Sequence, residues 1–414
     1  MGIGDAAIYC AACLILPVSW LSMFMLVYGQ FYSVYFILIC VILGLLFRMN
    51  RNRTGNAIRI VLIIVLSIWG GMQGVRLLMM CAVPLALSIC LLVYSNACKS
   101  KSIREFLCAR ESAYAVLVMI ICIGMGVGYL INTYVLSELY SFKNFSQTLM
   151  YGLDYEEVTK QLNYLPQYFG FESGVAFISA DGLINAIATL TVFVIVFSAG
   201  VLAVRSKTLS VPENLFVWFS IFSVLLGIAV NSMTIYGNTS GRGSLSYYLP
   251  GLLLLISMTF ICVDKSKIAM PGVKVILLLI MTAVFALNSL HYIRKNMRSA
   301  DADYEVTADW LMENGYQNGF TTFWNGNILT EASDGYLNMY TFGTWEDTEL
   351  SPWLQKKAHF ESLPEGKVFV FVQKPWEDVC LLADEDHLVQ QTVDGWIYEY
   401  SNAQEVMEIQ RREK

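Results

Sequence analysis

Residues 99–136 read KSKSIREFLCARESAYAVLVMIICIGMGVGYLINTYVL, a basic loop followed by a long apolar run. The first twelve positions hold four Lys or Arg residues, whereas the run from Ala113 to Leu136 carries no charge. A helix needs about 20 apolar residues to cross the hydrocarbon of a bilayer, and basic loops mark the cytoplasmic side of such crossings. This stretch alone therefore predicts a membrane-spanning helix that begins at the cytoplasmic face.

The same pattern repeats in both directions along the chain. The predicted crossings, about nine in all, are Ala6–Tyr28, Phe31–Phe47, Ile58–Trp69, Leu77–Tyr94, Ala113–Leu136, Leu183–Val204, Asn214–Ile235, Tyr247–Val263 and Val273–Tyr292. Basic residues fall in every second loop or at the edge of the crossing beside it, at Arg48, Arg51, Arg53, Arg59, Lys99, Lys101, Arg104, Arg110, Arg205, Lys207, Lys265, Lys267 and Lys274. The positive-inside rule makes these loops cytoplasmic. The N-terminus is therefore expected on the cytoplasmic side of the cell membrane, and everything after Tyr292 on the extracytoplasmic side.

Charge separates the chain into two regions. Residues 1–300 carry 20 Lys and Arg against 11 Asp and Glu, whereas residues 301–414 carry 7 against 22, a net charge of −15. We therefore predict a transmembrane helical domain over 1–300 and a detached acidic domain over 301–414. No basic surface large enough to follow a phosphate backbone is visible, which argues against a nucleic-acid partner.

The acidic region alternates between helix and strand patterns. The predicted elements are a helix at Ala302–Glu313, β-rich runs at Gly319–Trp324, Tyr336–Phe342 and Lys367–Gln373, and a hairpin of His387–Val393 with Gly395–Tyr400. This order predicts a small extracytoplasmic α/β domain. Cys380 is its only cysteine, which excludes an internal disulfide there. No Cys/His cluster of the chain has zinc spacing, and no metal site is predicted.

One segment of the acidic region is a candidate ligand site. After the first β-rich run come Trp324, Asn325, Asn327 and Glu331, and these side chains would lie at the end of that strand. Asn and Gly residues are also the ordinary residues of tight turns, so a plain turn at Asn325-Gly326-Asn327 explains the same pattern.

The longest outer loop, residues 137–182, contains an amphipathic helix pattern at Asp154–Leu165. Tyr155, Val158, Leu162 and Leu165 recur at helical spacing on one apolar face, Asp154 and Glu157 are spaced as a capping pair, and Pro166 is expected to end or kink the helix. Two placements stay open. The helix lies in the headgroup layer and shapes access for a lipid-linked substrate, or it packs over the helical bundle.

Two arginines lie on the predicted outer side, where the positive-inside rule does not expect basic residues. Arg76 opens the fourth crossing in GMQGVR, and Arg242 precedes the eighth in GNTSGRGSLSYY. An arginine in the membrane costs roughly 2.5–3.5 kcal/mol on insertion scales, so each is expected to have an anionic partner or a wet cavity. The planar guanidinium group of arginine can donate two hydrogen bonds to the phosphate of a substrate. The alternative is a side chain that snorkels to the lipid headgroups.

The order of these features resembles bacterial polytopic membrane proteins related to the GT-C glycosyltransferase superfamily, which includes protein O-mannosyltransferases and lipid A aminoarabinose transferases. The resemblance rests on the crossing pattern, the amphipathic outer loop, RGSLSYYLPGLLLL at 242–255 and GFTTFWNGNILTEASDG at 319–335. It implies transfer of a sugar from a polyprenyl-phosphate donor, such as an undecaprenyl-phosphate sugar, to an unknown acceptor at the outer face. A divalent metal is implied by the resemblance alone, and the residues indicate no cofactor.

The chain departs from that family at its first outer loop. The resemblance implies an acidic residue there, whereas this loop is only Tyr28-Gly29-Gln30. Either the chain lacks a preceding acidic-loop portion, which we favour, or it is a relative that has lost transfer chemistry. If chemistry is retained, the candidate carboxylates of the outer loops are Asp154, Glu156, Glu157 and Asp181, with Glu138 and Glu172 beside them.

Two other classes of function remain open. A transporter or lipid flippase would have discontinuous helices and polar residues near the bilayer midplane, for which Asn185 and Asn231 are candidates. A non-catalytic envelope scaffold would use the outer domain to bind a partner. The large outer domain and the lack of an inverted repeat favour the transferase over the transporter.

Overall fold

Long apolar helices make up the N-terminal part of the chain. The computed structural model describes residues 10–11, 13–14, 16, 18–23, 30–49, 53–98, 100, 102–136, 138, 155–176, 178–233, 241–266, 271–296, 300–352, 355–374, 376 and 380–411. It separates the chain into two compact units, Met1–Ile293 and Arg294–Lys414. The helices whose bounds lie within the described residues of the first unit are α1 (Trp20–Met23), α2 (Gln30–Phe47), α3 (Arg53–Met72), α4 (Val75–Ala97), α5 (Ile103–Cys108), α6 (Arg110–Leu136), α7 (Tyr155–Tyr168), α8 (Ala180–Val204), α9 (Val211–Met233), α10 (Gly241–Asp264) and α11 (Pro271–Asn296).

Six of these helices, α3, α4, α6, α8, α9 and α11, contain segments long and apolar enough to cross a membrane. Helices α2 and α10 contain shorter apolar segments, Val34–Phe47 and Gly251–Asp264. The prediction of a multi-pass helical membrane protein is confirmed, and the finer count of nine crossings stays a prediction. In the first predicted crossing, Leu16, Val18 and Ser19 are not helical. Ser19 instead directly precedes α1 and caps it, because its Oγ accepts a hydrogen bond from the Ser22 amide at 3.1 Å.

Close glycine contacts join α3 to α6. A Cβ atom placed on Gly128 of α6 would lie 2.0 Å from the Ile68 carbonyl oxygen of α3, and one on Gly71 of α3 would lie 2.0 Å from the Met125 carbonyl oxygen of α6. Gly124 meets α3 one turn away from Gly128, so the two glycines form a GxxxG stripe. Small residues at this spacing let two membrane helices approach closely enough for backbone-to-backbone packing.

Contacts between helix ends define two faces of the bundle. On the first face, Asn132 near the end of α6 donates to the Met72 carbonyl at the end of α3 at 2.6 Å, and Asp181 at the start of α8 contacts His291 near the end of α11 at 2.8 Å. On the second face, Lys265 after α10 pairs with Glu213 at the start of α9 at 2.6 Å. These contacts have the alternation that successive crossings require.

The described residues of the second unit form a mixed five-stranded sheet. Its strands are β1 (Asn318–Thr322), β2 (Asn338–Phe342), β3 (Val368–Gln373), β4 (Leu388–Gln391) and β5 (Gly395–Tyr400), in the order β2-β1-β3-β5-β4. Strand β1 runs parallel to β2 and β3, and β5 runs antiparallel to β3 and β4. The helices are α12 (Ala300–Glu313), α13 (Phe323–Ala332), α14 (Ala358–Glu361) and α15 (Ala403–Arg411). The predicted small α/β fold is therefore confirmed.

Strand β3 forms the centre of this sheet. Val368, Val370 and Val372 pack into the core on one side, and Phe369 and Phe371 pack into a second core on the other. All five side chains are fully buried. A strand that is covered on both faces has a continuous run of apolar residues, which is why the predicted β-rich run Lys367–Gln373 lacks an alternation of polar and apolar residues.

Helix α13 replaces the predicted turn at Asn325-Gly326-Asn327. The helix begins at Phe323, directly after β1, so these three residues lie in its first turns. Gly326 is needed because a Cβ atom there would lie 2.5 Å from Thr341 Cγ2 of β2. The left-handed turn comes later, at Asp334 with φ 51° and Gly335 with φ 81°.

Candidate functional site

Helix α7 forms within the predicted outer loop, but only half of the predicted apolar face is covered, since Val158 and Leu165 are half-buried and Leu165 packs against the core of the bundle. Tyr155 and Leu162, assigned to the apolar face, are 81% and 47% exposed. Glu157, Gln161 and Tyr168 are buried instead, at a spacing that places them on one side of the helix. The helix packs against α8 and α9, and because α9 presents polar side chains there, the polar stripe of α7 faces inward. Pro166 does not end the helix, which continues to Tyr168.

The buried stripe of α7 meets polar residues at the end of α9. Gln161 and Asn231 are both fully buried, and Asn231 Nδ2 donates to Gln161 Oε1 at 3.3 Å. Ser232 is buried beside Asn231. Sequence reasoning gave no role to Gln161 and placed Asn231 near the bilayer midplane. The structure places Asn231 in the last turn of α9 and Asn185 in the second turn of α8.

Glu157 is the carboxylate on the buried stripe of α7, one turn before Gln161. Its residue exposure is only 8%, whereas its neighbour Glu156 is exposed. Glu157 Oε1 accepts a hydrogen bond from Lys160 Nζ at 3.1 Å. The other oxygen, Oε2, is buried and has no hydrogen-bond partner among the residues that the structure describes. One oxygen of Glu157 is thus held by a cation, whereas the other is buried without a partner among the described residues.

Both predicted phosphate-binding arginines lie at helix starts on the first face. Helices α4 and α10 each end on the second face, so Arg76 and Arg242, in their first turns, lie on the same face as Glu157. Arg76 is half-buried, and its guanidinium carbon lies 5.8 Å from the ring centre of Tyr35. The Arg242 side chain lies outside the described residues.

The other candidate carboxylates have different surroundings where the structure describes them. Asp181 Oδ1 lies 2.8 Å from His291 Nε2, which ties the start of α8 to the end of α11. Glu156 points to solvent, and Asp154 lies outside the described residues. Among the described residues, no group of three or more His, Cys, Asp or Glu could hold a metal ion. The divalent metal implied by the family resemblance therefore finds no fitting set of ligands in this part of the chain.

The outer-domain candidates Trp324, Asn325, Asn327 and Glu331 all lie on α13 but do not converge. Trp324 is 63% exposed, whereas Asn325 is buried at the carboxyl end of β1. Asn327 donates to the Phe323 carbonyl within the helix at 2.8 Å. Glu331 is exposed about two turns further along.

Polar side chains gather around Asn325. Asn325 Oδ1 accepts a hydrogen bond from the Tyr304 hydroxyl at 3.0 Å, and its Nδ2 donates to Thr322 Oγ1 at 3.0 Å. Burial raises the pKa of Tyr304 to about 12, with a further contribution from Asp394. Burial and the nearby Asp303 raise the pKa of Asp394. Sequence reasoning missed this arrangement because Tyr304 and Asp394 are distant along the chain.

A scan against protein-family models, a search of curated proteins and a search of solved structures each found no match to this chain.

Proposed function

We propose that this protein is a membrane glycosyltransferase of the GT-C type, which transfers a sugar from a polyprenyl-phosphate donor to an acceptor hydroxyl. The observation that carries the proposal is Glu157, a buried carboxylate on a helix at the end of the bundle, with one oxygen held by Lys160 and the other buried without a partner among the described residues. Burying a carboxylate is costly unless it is paired and hydrogen-bonded, and the buried oxygen of Glu157 that lacks a partner among the described residues makes this side chain the candidate base.

The proposed reaction assigns a role to each charged group. Glu157 accepts the proton of the acceptor hydroxyl while the oxygen of that hydroxyl attacks the anomeric carbon of the sugar. The bond between that carbon and the phosphate oxygen breaks, and the lipid phosphate leaves with the electron pair. Arg242 and Arg76, at helix starts on the same face, stabilise the negative charge that develops on the phosphate. In this proposal the first face is extracytoplasmic, the N-terminus is cytoplasmic, nine crossings span the plasma membrane, and the C-terminal domain lies outside.

Two neighbouring carboxylates provide a matched test of the base. The protein in lipid nanodiscs is incubated with polyprenyl-phosphate sugars, and release of polyprenyl phosphate is measured. Glu157→Gln keeps the shape of the side chain but removes the base, so the rate should fall at least about 100-fold. Glu156→Gln changes an exposed neighbour, and its rate should match that of the unchanged protein. Equal rates in both variants would remove Glu157 from the mechanism.

Arg242 is tested by donor binding. Arg242→Lys keeps the charge but cannot donate two parallel hydrogen bonds, so its affinity for a polyprenyl phosphate should fall. Arg242→Ala should lose about 2 kcal/mol or more of the binding free energy. Thermal stability should change less than binding. A snorkelling arginine would behave differently, because lysine would replace it at almost no cost. Equal affinity of all three proteins, at matched folded fraction, would contradict a phosphate role.

A transporter is the second candidate, and one observation favours it. The described part of the first apolar stretch is interrupted at Val18 and Ser19, and Ser19 Oγ donates to the Tyr168 carbonyl at 2.7 Å. Discontinuous helices of this kind line substrate sites in transporters. Sealed vesicles containing the protein distinguish the two candidates. Accumulation of labelled lipid-linked sugar in the opposite leaflet without release of polyprenyl phosphate would favour transport.

A further inference from the structure

A separate polar cavity lies on the second face of the bundle. It has a volume of about 210 Å³ and lies between the ends of α4 and α8 and the starts of α6 and α9. Glu157 lies on the first face, at the opposite ends of the helices. The cavity therefore belongs to a different leaflet of the membrane from the proposed transfer site, and it has no role in the proposed reaction.

Two buried amide atoms in the residues that line this cavity have no hydrogen-bond partner among the described residues. They are Asn96 Nδ2, a donor, and Asn214 Oδ1, an acceptor. The other side of the Asn96 amide faces Ser100, whose hydroxyl donates to the Asn96 backbone carbonyl at 3.0 Å and lies 3.4 Å from Asn96 Oδ1. Buried polar atoms in proteins are nearly always paired. A molecule that satisfies both atoms must offer an acceptor to Asn96 and a donor to Asn214.

The cavity also presents one charge of each sign. Glu111 from the first turn of α6 and Lys207 from the turn after α8 both line it, and Leu92 and Trp218 provide apolar surface. A volume of 210 Å³ is roughly seven times the share of one liquid water. This is too large for a single bridging water and smaller than the pockets of drug-sized ligands.

We propose that this cavity binds a small zwitterion with a primary ammonium and an acidic oxygen group, as found in the headgroup of an ethanolamine phospholipid. The ammonium donates to Glu111 and Asn214, and the phosphate oxygens accept from Lys207 and Asn96. Opposite charges at one site select a zwitterion over an anionic headgroup. The acceptor of Asn214 selects an ammonium that carries N–H groups over a quaternary one, which has none. The cavity lies at helix ends, where the headgroups of a bilayer would be.

The selectivity is tested by thermal unfolding of the full chain in detergent. Water-soluble short-chain phosphatidylethanolamine, phosphatidylcholine and phosphatidylglycerol are titrated separately, and the unfolding midpoint is followed. Ligand binding to the folded state raises the midpoint in a saturable way. We expect this with the ethanolamine lipid and little change with the other two. Equal shifts with all three lipids would overturn the proposal. Glycerophosphoethanolamine, which has no acyl chains, forms a further arm, and a shift with it would show that a soluble zwitterion also suffices.

Variants locate the effect in the cavity. Asn214→Leu removes the acceptor and should weaken binding of the ethanolamine lipid about tenfold or more, which corresponds to one hydrogen bond to a charged group. Lys207→Gln should also weaken it, whereas Arg205→Gln, an exposed residue on the same turn that does not line the cavity, should leave it unchanged. Because leucine relieves an unpaired amide, Asn214→Leu should still fold. Unchanged binding by Asn214→Leu and Lys207→Gln would place the lipid elsewhere and refute the proposal.

Discussion

The substitution Gly128→Ala tests the close contact between α3 and α6. The added Cβ would lie 2.0 Å from the Ile68 carbonyl oxygen, whereas ordinary contact begins at 3.4 Å, so the helices must separate locally by about 1.4 Å. That movement also loosens the reciprocal contact, in which Gly71 lies against the Met125 carbonyl oxygen. The perturbation therefore acts on the packing of both helices.

The expected magnitude follows from two opposing terms. Overpacking a well-filled contact costs about 1–3 kcal/mol. Replacing a glycine within a helix with alanine stabilises the helix by about 1 kcal/mol, because alanine has the higher helix propensity. The net loss is then up to about 2 kcal/mol, and at roughly 1.6 °C per kcal/mol for a unit of this size the unfolding midpoint should fall by up to about 3 °C.

Gly126→Ala is the matched control on the same helix. A Cβ at Gly126 meets nothing within 4 Å, so this variant gains helix propensity without a clash and should be as stable as the unchanged protein or slightly more so. Thermal unfolding of the three purified proteins in one detergent gives the comparison. If Gly128→Ala were as stable as Gly126→Ala, the close approach of α3 and α6 would be wrong.

Three further predictions concern topology, folding and pH. A reporter fused after Lys99 should be active only in the cytoplasm and one fused after Lys414 only outside it, and a cytoplasmic C-terminal reporter would contradict the proposed orientation. Residues 301–414 expressed alone should give a soluble monomer with a mixed α/β circular dichroism spectrum, because the central strand has its own core on both faces, and a disordered spectrum would show that this region depends on the membrane part. Burial and the nearby Asp303 raise the pKa of Asp394, so the folded protein binds that proton more tightly than the unfolded one, and this contribution to stability is lost as pH rises through the folded pKa. Asp394→Asn should therefore raise the unfolding midpoint slightly at pH 7 and not at pH 3, and an equal change at both pH values would refute the assignment.

The sequence by itself determined the division of this protein into an apolar helical part and an acidic α/β part. Hydrophobic length and loop charge are properties of consecutive residues, so they need no knowledge of distant contacts. For the same reason, the strand Val368–Gln373 could be predicted from its own residues, because a strand buried on both faces needs an unbroken apolar run.

Only the tertiary structure decided which face of α7 is buried. An amphipathic pattern predicts that the apolar side faces inward, and this holds only in part where the covering helix offers polar partners, as α9 does through Asn231. The selection of Glu157 among the candidate carboxylates, the pairing of Asp181 with His291 and the cavity between Asn96 and Asn214 depend in the same way on residues far apart in the chain. Among the glycines of α6, the sequence treats Gly126 and Gly128 alike, and only the position of α3 makes one of them indispensable. The physical reason is that side-chain burial and hydrogen-bond satisfaction are properties of a packed contact between elements, which no local pattern records.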